Sequence, residues 1–211
     1  MLCLSKSDTI DILIKRFMNN LLRTFIAVKI TPQPGLVRLV NEFRQELRGE
    51  AVKWVDLQNM HLTVKFIGDT TPEQVDQIKS VLGDIAYRFP VFSFSLDGVG
   101  FFQRGGQPSV LFIKTDTAEI LNKLASGIDD QLQLIGFEKE SRRFSPHLTL
   151  GRIKYLKEKS SFLRLTEKFG QYPVQEVVCR QVIFYQSVLM PQGPLYKPLA
   201  EIKLQGDNSD S

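Results

Sequence analysis

The chain has 211 residues but only two histidines, His61 and His147, and each is followed by Leu and then Thr. Histidine titrates near neutral pH, with an ordinary pKa of ~6.5, so one imidazole can take a proton while another gives one. Threonine hydroxyls donate hydrogen bonds to the non-bridging oxygens of a phosphate and stabilise charge that develops there. Two such triplets on one cleft suit a displacement at phosphorus, which needs a base on one side and an acid on the other. Threonine fills 10 of the 211 positions. Chance alone would place it two residues after both histidines about once in 400, so the pair is a signal although a single His-Leu-Thr would not be.

Other chemistries find less support. A zinc site wants three or four ligands, and no Cys/His or Glu/His cluster accompanies the two histidines, so no metal is expected. There is no Gly-x-Ser-x-Gly elbow for a serine hydrolase. The glycine-rich stretch 103–109 lacks a phosphate-loop lysine and precedes a strand, which reads as a hairpin or mobile loop. Cys3 and Cys179 show no redox or metal-ligand spacing, and so few cysteines fit a reducing cytoplasm.

The formal net charge is +4 and the pI about 9.0, a mild bias towards anionic partners. The small clusters Lys139, Arg142 and Arg143, and Lys154, Lys157 and Lys159, read as solvated faces. No apolar run reaches the ~20 residues of a membrane span. In the opening segment Ile10, Leu13, Ile14 and Phe17 recur at helical spacing, but Asp8 and Asp11 interrupt any leader-like core. It reads as a peripheral extension over 1–21, before a domain over 22–204 and a frayed tail over 205–211.

The elements that must carry the triplets follow from hydrophobic period. Residues 23–30 read as a strand. Leu36, Leu39, Val40, Phe43 and Leu47 form the stripe of a helix. Residues 61–69 are a strand, then Thr71 and Gln74 frame a capping box at the start of a second helix. Residues 90–102 alternate as a strand, with Phe92, Phe94 and Leu96 on one side. The order then repeats: a strand at 109–116, a helix from a cap at Asp116 through Ile120, Leu121, Leu124, Ile128, Leu132 and Ile135, a strand at 147–154, a shorter helix at 157–169, and one long strand at 176–189. The histidines stand 86 positions apart. The same shift carries residues 23–30 onto 109–116 and 90–96 onto 176–182, which predicts two lobes related by a pseudo-two-fold axis.

Side chains alternate along a strand. His61 and Thr63 therefore share one face while Leu62, Val64 and Phe66 anchor the other, and His147 and Thr149 are likewise backed by Leu148 and Leu150. Strict alternation puts Arg152, whose guanidinium suits a phosphate, on the wrong face. A bulge at Gly151 would turn it back. Trp54 and Phe66 are candidates for stacking on a base, with apolar anchoring favoured for Phe66. Tyr185 and Ser187 are placed near the cleft only by proximity to the last strand.

With these residues in view, the chain resembles the two-histidine (2H) phosphoesterases, and closely the LigT-like RNA 2′,3′-cyclic phosphodiesterases. The two His-x-Thr-x motifs carry the likeness, His61, Leu62, Thr63 and Val64, then His147, Leu148, Thr149 and Leu150. Residues 23–30, 52–69, 136–154 and 184–199 match as well, so the likeness covers about 22–204. It implies a bilobal α+β fold, two pseudo-symmetric lobes with antiparallel-rich sheets and outer helices, and a cleft between them. It also implies metal- and cofactor-independent hydrolysis of a terminal RNA 2′,3′-cyclic phosphate to a 2′-phosphomonoester. His61 would be the proton donor and His147 the proton acceptor, with Thr63 and Thr149 on the phosphate. The family is associated too with reversible 2′-5′ RNA joining. The partner implied is an RNA end, tRNA fragments included, met by a cytoplasmic monomer with no membrane role. The residues alone leave the acid and base assignment open, and they leave open an RNA-end binding module or an enzyme for a small cyclic nucleotide.

Overall fold

Local sequence rules place most of the elements. The computed structural model describes residues 21–116, 118–191 and 193–205; of the expected extension over 1–21 and tail over 205–211, all but residues 21 and 205 lie outside them. Strand β1 spans Leu22–Lys29 and is buried through its middle. Helix α1 (Pro34–Glu46) starts at a proline and buries Leu36, Leu39, Val40 and Phe43, the face that the period predicts. Strand β2 (Ala51–Trp54) and one 3₁₀ turn (Leu57–Asn59) lead into β3 (His61–Thr70).

Helix α2 (Pro72–Arg88) opens on the expected capping box: the Gln74 amide N–H donates to Thr71 Oγ1, and the Thr71 N–H donates to Gln74 Oε1. Strands β4 (Phe92–Arg104) and β5 (Gln107–Thr115) form a hairpin. Its two turn residues, Gly105 and Gly106, have φ of 58° and 72°, the left-handed pair that a tight hairpin needs. The glycine-rich stretch is therefore a hairpin turn.

Helix α3 (Ala118–Leu134), β6 (His147–Tyr155), α4 (Lys159–Lys168) and β7 (Pro173–Cys179) follow, then β8 (Gln181–Met190) and β9 (Gly193–Lys203). The cap expected at Asp116 adjoins residue 117, outside the described residues. The Asp116 carboxylate does accept from the Ser95 N–H at 2.7 Å. Among the described residues no helix is long and apolar enough to cross a membrane.

The nine strands form one antiparallel sheet in the order β7-β4-β5-β6-β3-β1-β8-β9, with β2 paired to β6. The long strand expected at 176–189 is two strands broken at Arg180. β7 pairs with β4 in one lobe and β8 pairs with β1 in the other. A single residue thus joins the edge strand to the seventh position of the sheet, which brings the two ends of the sheet together and curls it.

β4 lies beside β5 as β8 lies beside β1, so the counterpart of β4 is β8. The shift of 86 carries Phe92–Arg104 onto 178–190, which contains β8, while 90–96 lands on 176–182 across the break at Arg180. Each repeat gives its third strand to the opposite lobe. Hydrophobic period cannot reveal this exchange, because β4 and β8 bury apolar residues in either lobe.

Helices α2 and α3 pack against each other, α2 also against β8 and β9 at one edge of the sheet and α3 against β3, with α1 against β7 and α4 against β4. The core holds Leu62, Leu148, Leu150, Ile78, Leu82, Leu124 and Ile128, all fully buried. Removing a leucine or isoleucine side chain from water contributes about 1.5–3 kcal/mol each. Cys179 belongs to this core; burial pushes its thiol up to about 12, which leaves it a packing residue at neutral pH.

Candidate active site

The two lobes touch through β3 and β6. Their register is a single antiparallel pair, Leu62 with Leu148, whereas β1 and β3 pair along their whole length. Both leucines are fully buried, so the flanking side chains point to the opposite, open face. Antiparallel geometry sets His61 across from Thr149 and Thr63 across from His147. The two histidines then lie on a diagonal, their Cα atoms roughly 8 Å apart by strand spacing and rise. Each hydroxyl faces the other lobe's imidazole across the gap.

Each imidazole is held in the same way. His61 Nδ1 donates to the carbonyl of Asn59 and His147 Nδ1 to the carbonyl of Ser145, both at 2.7 Å. A carbonyl only accepts, so Nδ1 carries the proton and Nε2 is left for the cleft. Burial lowers both pKa values below the ordinary 6.5, opposed by those Nδ1 hydrogen bonds. At His147 the positive charge of Arg152 lowers it further. Asn59 and Ser145 stand 86 apart, two residues before their histidines. The repeated spacing was available in the sequence, but a backbone carbonyl has no side-chain signature.

Beyond the triplets, alternation fails on both strands at one equivalent place. On β3 the partner of Ala27 is Thr63 and that of Ile26 is Lys65, leaving Val64 unpaired. On β6 the partner of Phe112 is Thr149 and that of Leu111 is Gly151, leaving Leu150 unpaired. An extra residue reverses the side-chain parity that follows. Ile153 therefore joins the core with Leu148 and Leu150, and Arg152 turns out on the histidine side. There its charge acts on both His147 and Tyr196.

The same reversal corrects the reading of Phe66. It is 66% exposed rather than an apolar anchor, and its ring lies 6.1 Å from Phe25, itself 5.0 Å from His61. Phe66 and Arg152 are counterparts 86 positions apart. Lys65 is sent the other way, into a buried ion pair with Asp129 of α3, and also donates to the Glu138 carbonyl.

Trp54 is placed away from the cleft. A Cβ on Gly151 would meet Val52 Cγ1 at 2.9 Å and Trp54 Cε3 at 3.2 Å, so both side chains of β2 cover the core side of the bulge. Trp54 also lies under the Arg44 guanidinium, 5.9 Å from its ring centre. Glycine at 151 is what lets β2 close over the kink.

Around the imidazoles the lobes part ways. His147 is flanked by Phe112 at 5.2 Å and meets Phe102 edge-on at 4.9 Å. The Phe112 ring occupies the space over Gly100, where a Cβ would come within 2.9 Å of it. In the other lobe the counterparts of Phe112 and Gly100 are Ala27 and Ile183. Ala27 is buried there beneath Phe25, Ile183 and Tyr185, and a pocket of about 210 Å³ opens beside His61.

Tyr185 and Tyr196 wall this pocket, with Tyr196 meeting His61 edge-on at 5.0 Å and Tyr185 6.5 Å away. Burial, and secondly the Glu201 carboxylate, hold the Tyr185 hydroxyl above its ordinary value. The sequence pointed to Tyr185 only by nearness and missed Tyr196, whose strand β9 carries no periodic signal. Ser187 is paired with Tyr196 on the next strand and is not among the pocket's residues.

A curled antiparallel sheet with paired His-x-Thr strands at its centre defines a two-histidine phosphoesterase by architecture and site. The chain belongs to the LigT-like phosphoesterase family, whose model matches residues 28–112 and again residues 111–196. That double match follows the internal repeat. The chain is 34% identical to a Thermotoga maritima protein named RNA 2′,3′-cyclic phosphodiesterase, over 88% of this chain and 97% of that one. It is 31% identical to an Archaeoglobus fulgidus protein of the same name, over 84% and 98%. The crystal structure of TT0787 from Thermus thermophilus superposes with a TM-score of 0.71 at 26% identity, covering 88% of this chain and all of that one. Escherichia coli LigT shares the fold, with a TM-score of 0.67 over 88% and 98% of the two chains.

Proposed function

We propose that this protein is an RNA 2′,3′-cyclic phosphodiesterase that opens a terminal cyclic phosphate to a 2′-phosphomonoester, using its own side chains as acid and base. The observation that carries the reading is the crossed pair of His-Thr units, each imidazole presenting Nε2 to one cleft. Two relatives bearing that activity in their names, aligned over nearly their full lengths, support it.

In the proposed step His147 Nε2 takes a proton from water, whose oxygen attacks phosphorus. The bond from phosphorus to the 3′-oxygen breaks, and His61 Nε2–H delivers its proton to that oxygen. Thr63, Thr149 and Arg152 hold the non-bridging oxygens, where fixed donors stabilise developing charge. Arg152 supports this division of labour. Its charge disfavours protonated His147, which keeps that imidazole free as the base, whereas at His61 burial is what lowers the pKa. A bound phosphate dianion or diester would restore proton affinity to His61, the acid.

The proposal includes a working unit over 22–204 that acts as a monomer in the cytoplasm on RNA ends, tRNA fragments among them. The same step with a ribose hydroxyl of a second RNA end attacking in place of water would join RNA 2′-5′, and its reverse would cut that bond. The test is a product assay on a short RNA ending in a 2′,3′-cyclic phosphate, run in EDTA with wild type, His61→Ala and His147→Ala. A 2′-phosphate formed by wild type alone is the expected result. Tight RNA-end binding without turnover would replace the enzyme by a binding module, and activity surviving either substitution would end the paired acid–base reading.

A further inference from the structure

The pocket beside His61 has no use in the step above, and its chemistry is that of a base-reading site. At about 210 Å³ it falls below the ~300–1,000 Å³ of whole-ligand pockets, so it takes one ring system rather than a whole nucleotide. Its walls are the rings of Tyr185 and Tyr196, with Ile183 and Pro198 as apolar surface between them. Its polar lining is Lys29, Gln58, Asn59, Gln181 and Glu201. Gln181 Nε2 donates to Glu201 Oε2 at 3.3 Å, and Lys29 is the cross-strand partner of His61.

Reaction geometry says which ring reaches it. In a displacement at phosphorus the attacking and departing oxygens are opposed. With His147 serving the water, the departing 3′-oxygen and the ribose that owns it lie on the His61 side. The base of that ribose is then the group nearest the pocket. The rim also discriminates. A carboxylate only accepts, and guanine alone among the four bases sets two adjacent N–H donors, N1 and N2, beside an acceptor, O6. In adenine and cytosine the ring nitrogen next to the amine would face the second carboxylate oxygen with a lone pair. Uracil offers one N–H between two carbonyls.

Resting on the cyclic phosphodiesterase reading, we propose that this pocket holds the base of the terminal nucleotide and selects guanine, Glu201 accepting from N1–H and N2–H and Lys29 donating to O6. The subsite belongs to one lobe, where Ile183 and Tyr185 of β8 and Tyr196 and Glu201 of β9 line it.

The test measures kcat/KM on four dinucleotides that differ only in the terminal base and end in a 2′,3′-cyclic phosphate, with wild type, Glu201→Gln and Lys29→Met. A matched donor–acceptor edge gives about tenfold discrimination or more, so guanine should lead by about that factor in wild type. In Glu201→Gln, which keeps the shape but turns one acceptor into a donor, the lead should vanish, and in Lys29→Met it should shrink. Equal rates on all four bases in wild type, or a guanine lead that survives Glu201→Gln, would overturn the subsite. If wild type opens none of the four rings, the catalytic reading falls on its own. The subsite is then judged by binding of guanosine 2′-phosphate against adenosine 2′-phosphate, where equal affinity overturns it.

Discussion

The histidine strands β3 and β6 begin alike and end differently. Each starts with a histidine anchored by a carbonyl two residues earlier, places a threonine two residues later, and bulges at the residue after that. From the bulge onward the same geometry delivers different chemistry: an exposed phenylalanine on one strand, an arginine on the other. The lateral surroundings differ as well, Phe102 and Phe112 at His147 but Phe25, Tyr196 and a pocket at His61. In the proposed step a duplicated scaffold would supply two equivalent proton-transfer groups, and a few side chains would assign them opposite roles.

The sharpest way to break this comparison is to remove each imidazole and change the leaving group. Positioned acid or base catalysis contributes about 10²–10⁴-fold, so His61→Ala and His147→Ala should each lose about 10³-fold in kcat/KM on a cyclic phosphate. On an aryl phosphodiester with a nitrophenolate leaving group, which needs no protonation, His61→Ala should recover most of its deficit and His147→Ala should not. Equal recovery by both would erase the distinction between them.

Thr63→Val and Thr149→Val come next, with an expected fall in kcat of about 10²-fold each, the usual cost of losing one donor to transition-state charge. A change confined to KM would make the hydroxyls ground-state binders instead. Arg152→Met should cost about 10-fold or more and also move the acidic limb of the kcat/KM profile to higher pH. Removing a cation raises the pKa of His147, so the base stays protonated further up the scale. The equivalent change on the other strand, Phe66→Met, should leave that limb in place.

Two smaller effects concern stability. Lys65→Ala removes the cation from the half-buried Asp129 carboxylate, which keeps the Glu140 N–H, a loss expected at about 2 kcal/mol and readable by denaturant unfolding. Both histidines have folded pKa values below 6.5. Between those values and 6.5 the unfolded chain therefore binds more protons, and stability rises with pH through that window. It is fully present above about 6.5 and lost as pH falls through the folded values. The rise in Tm from about pH 5 to 7.5 should shrink in the His61→Gln, His147→Gln double variant.

The sequence by itself determined the helical faces, the capping box at Thr71 and the two strands that carry the triplets. It also determined that His and Thr share a side over Leu62 and Leu148. These are local matters, because the period of a strand or helix is written in neighbouring residues. Tertiary structure decided the rest. An unpaired residue at Val64 and at Leu150 exists only relative to a partner strand, and it alone brings Arg152 and Phe66 to the cleft. The exchange of β4 and β8 between lobes, and the break at Arg180, depend on which distant strand each one meets. The pocket beside His61 gathers Lys29, Tyr185, Tyr196 and Glu201, residues far apart in the chain. The sequence could name the two imidazoles; only long-range pairing could say what stands around each of them.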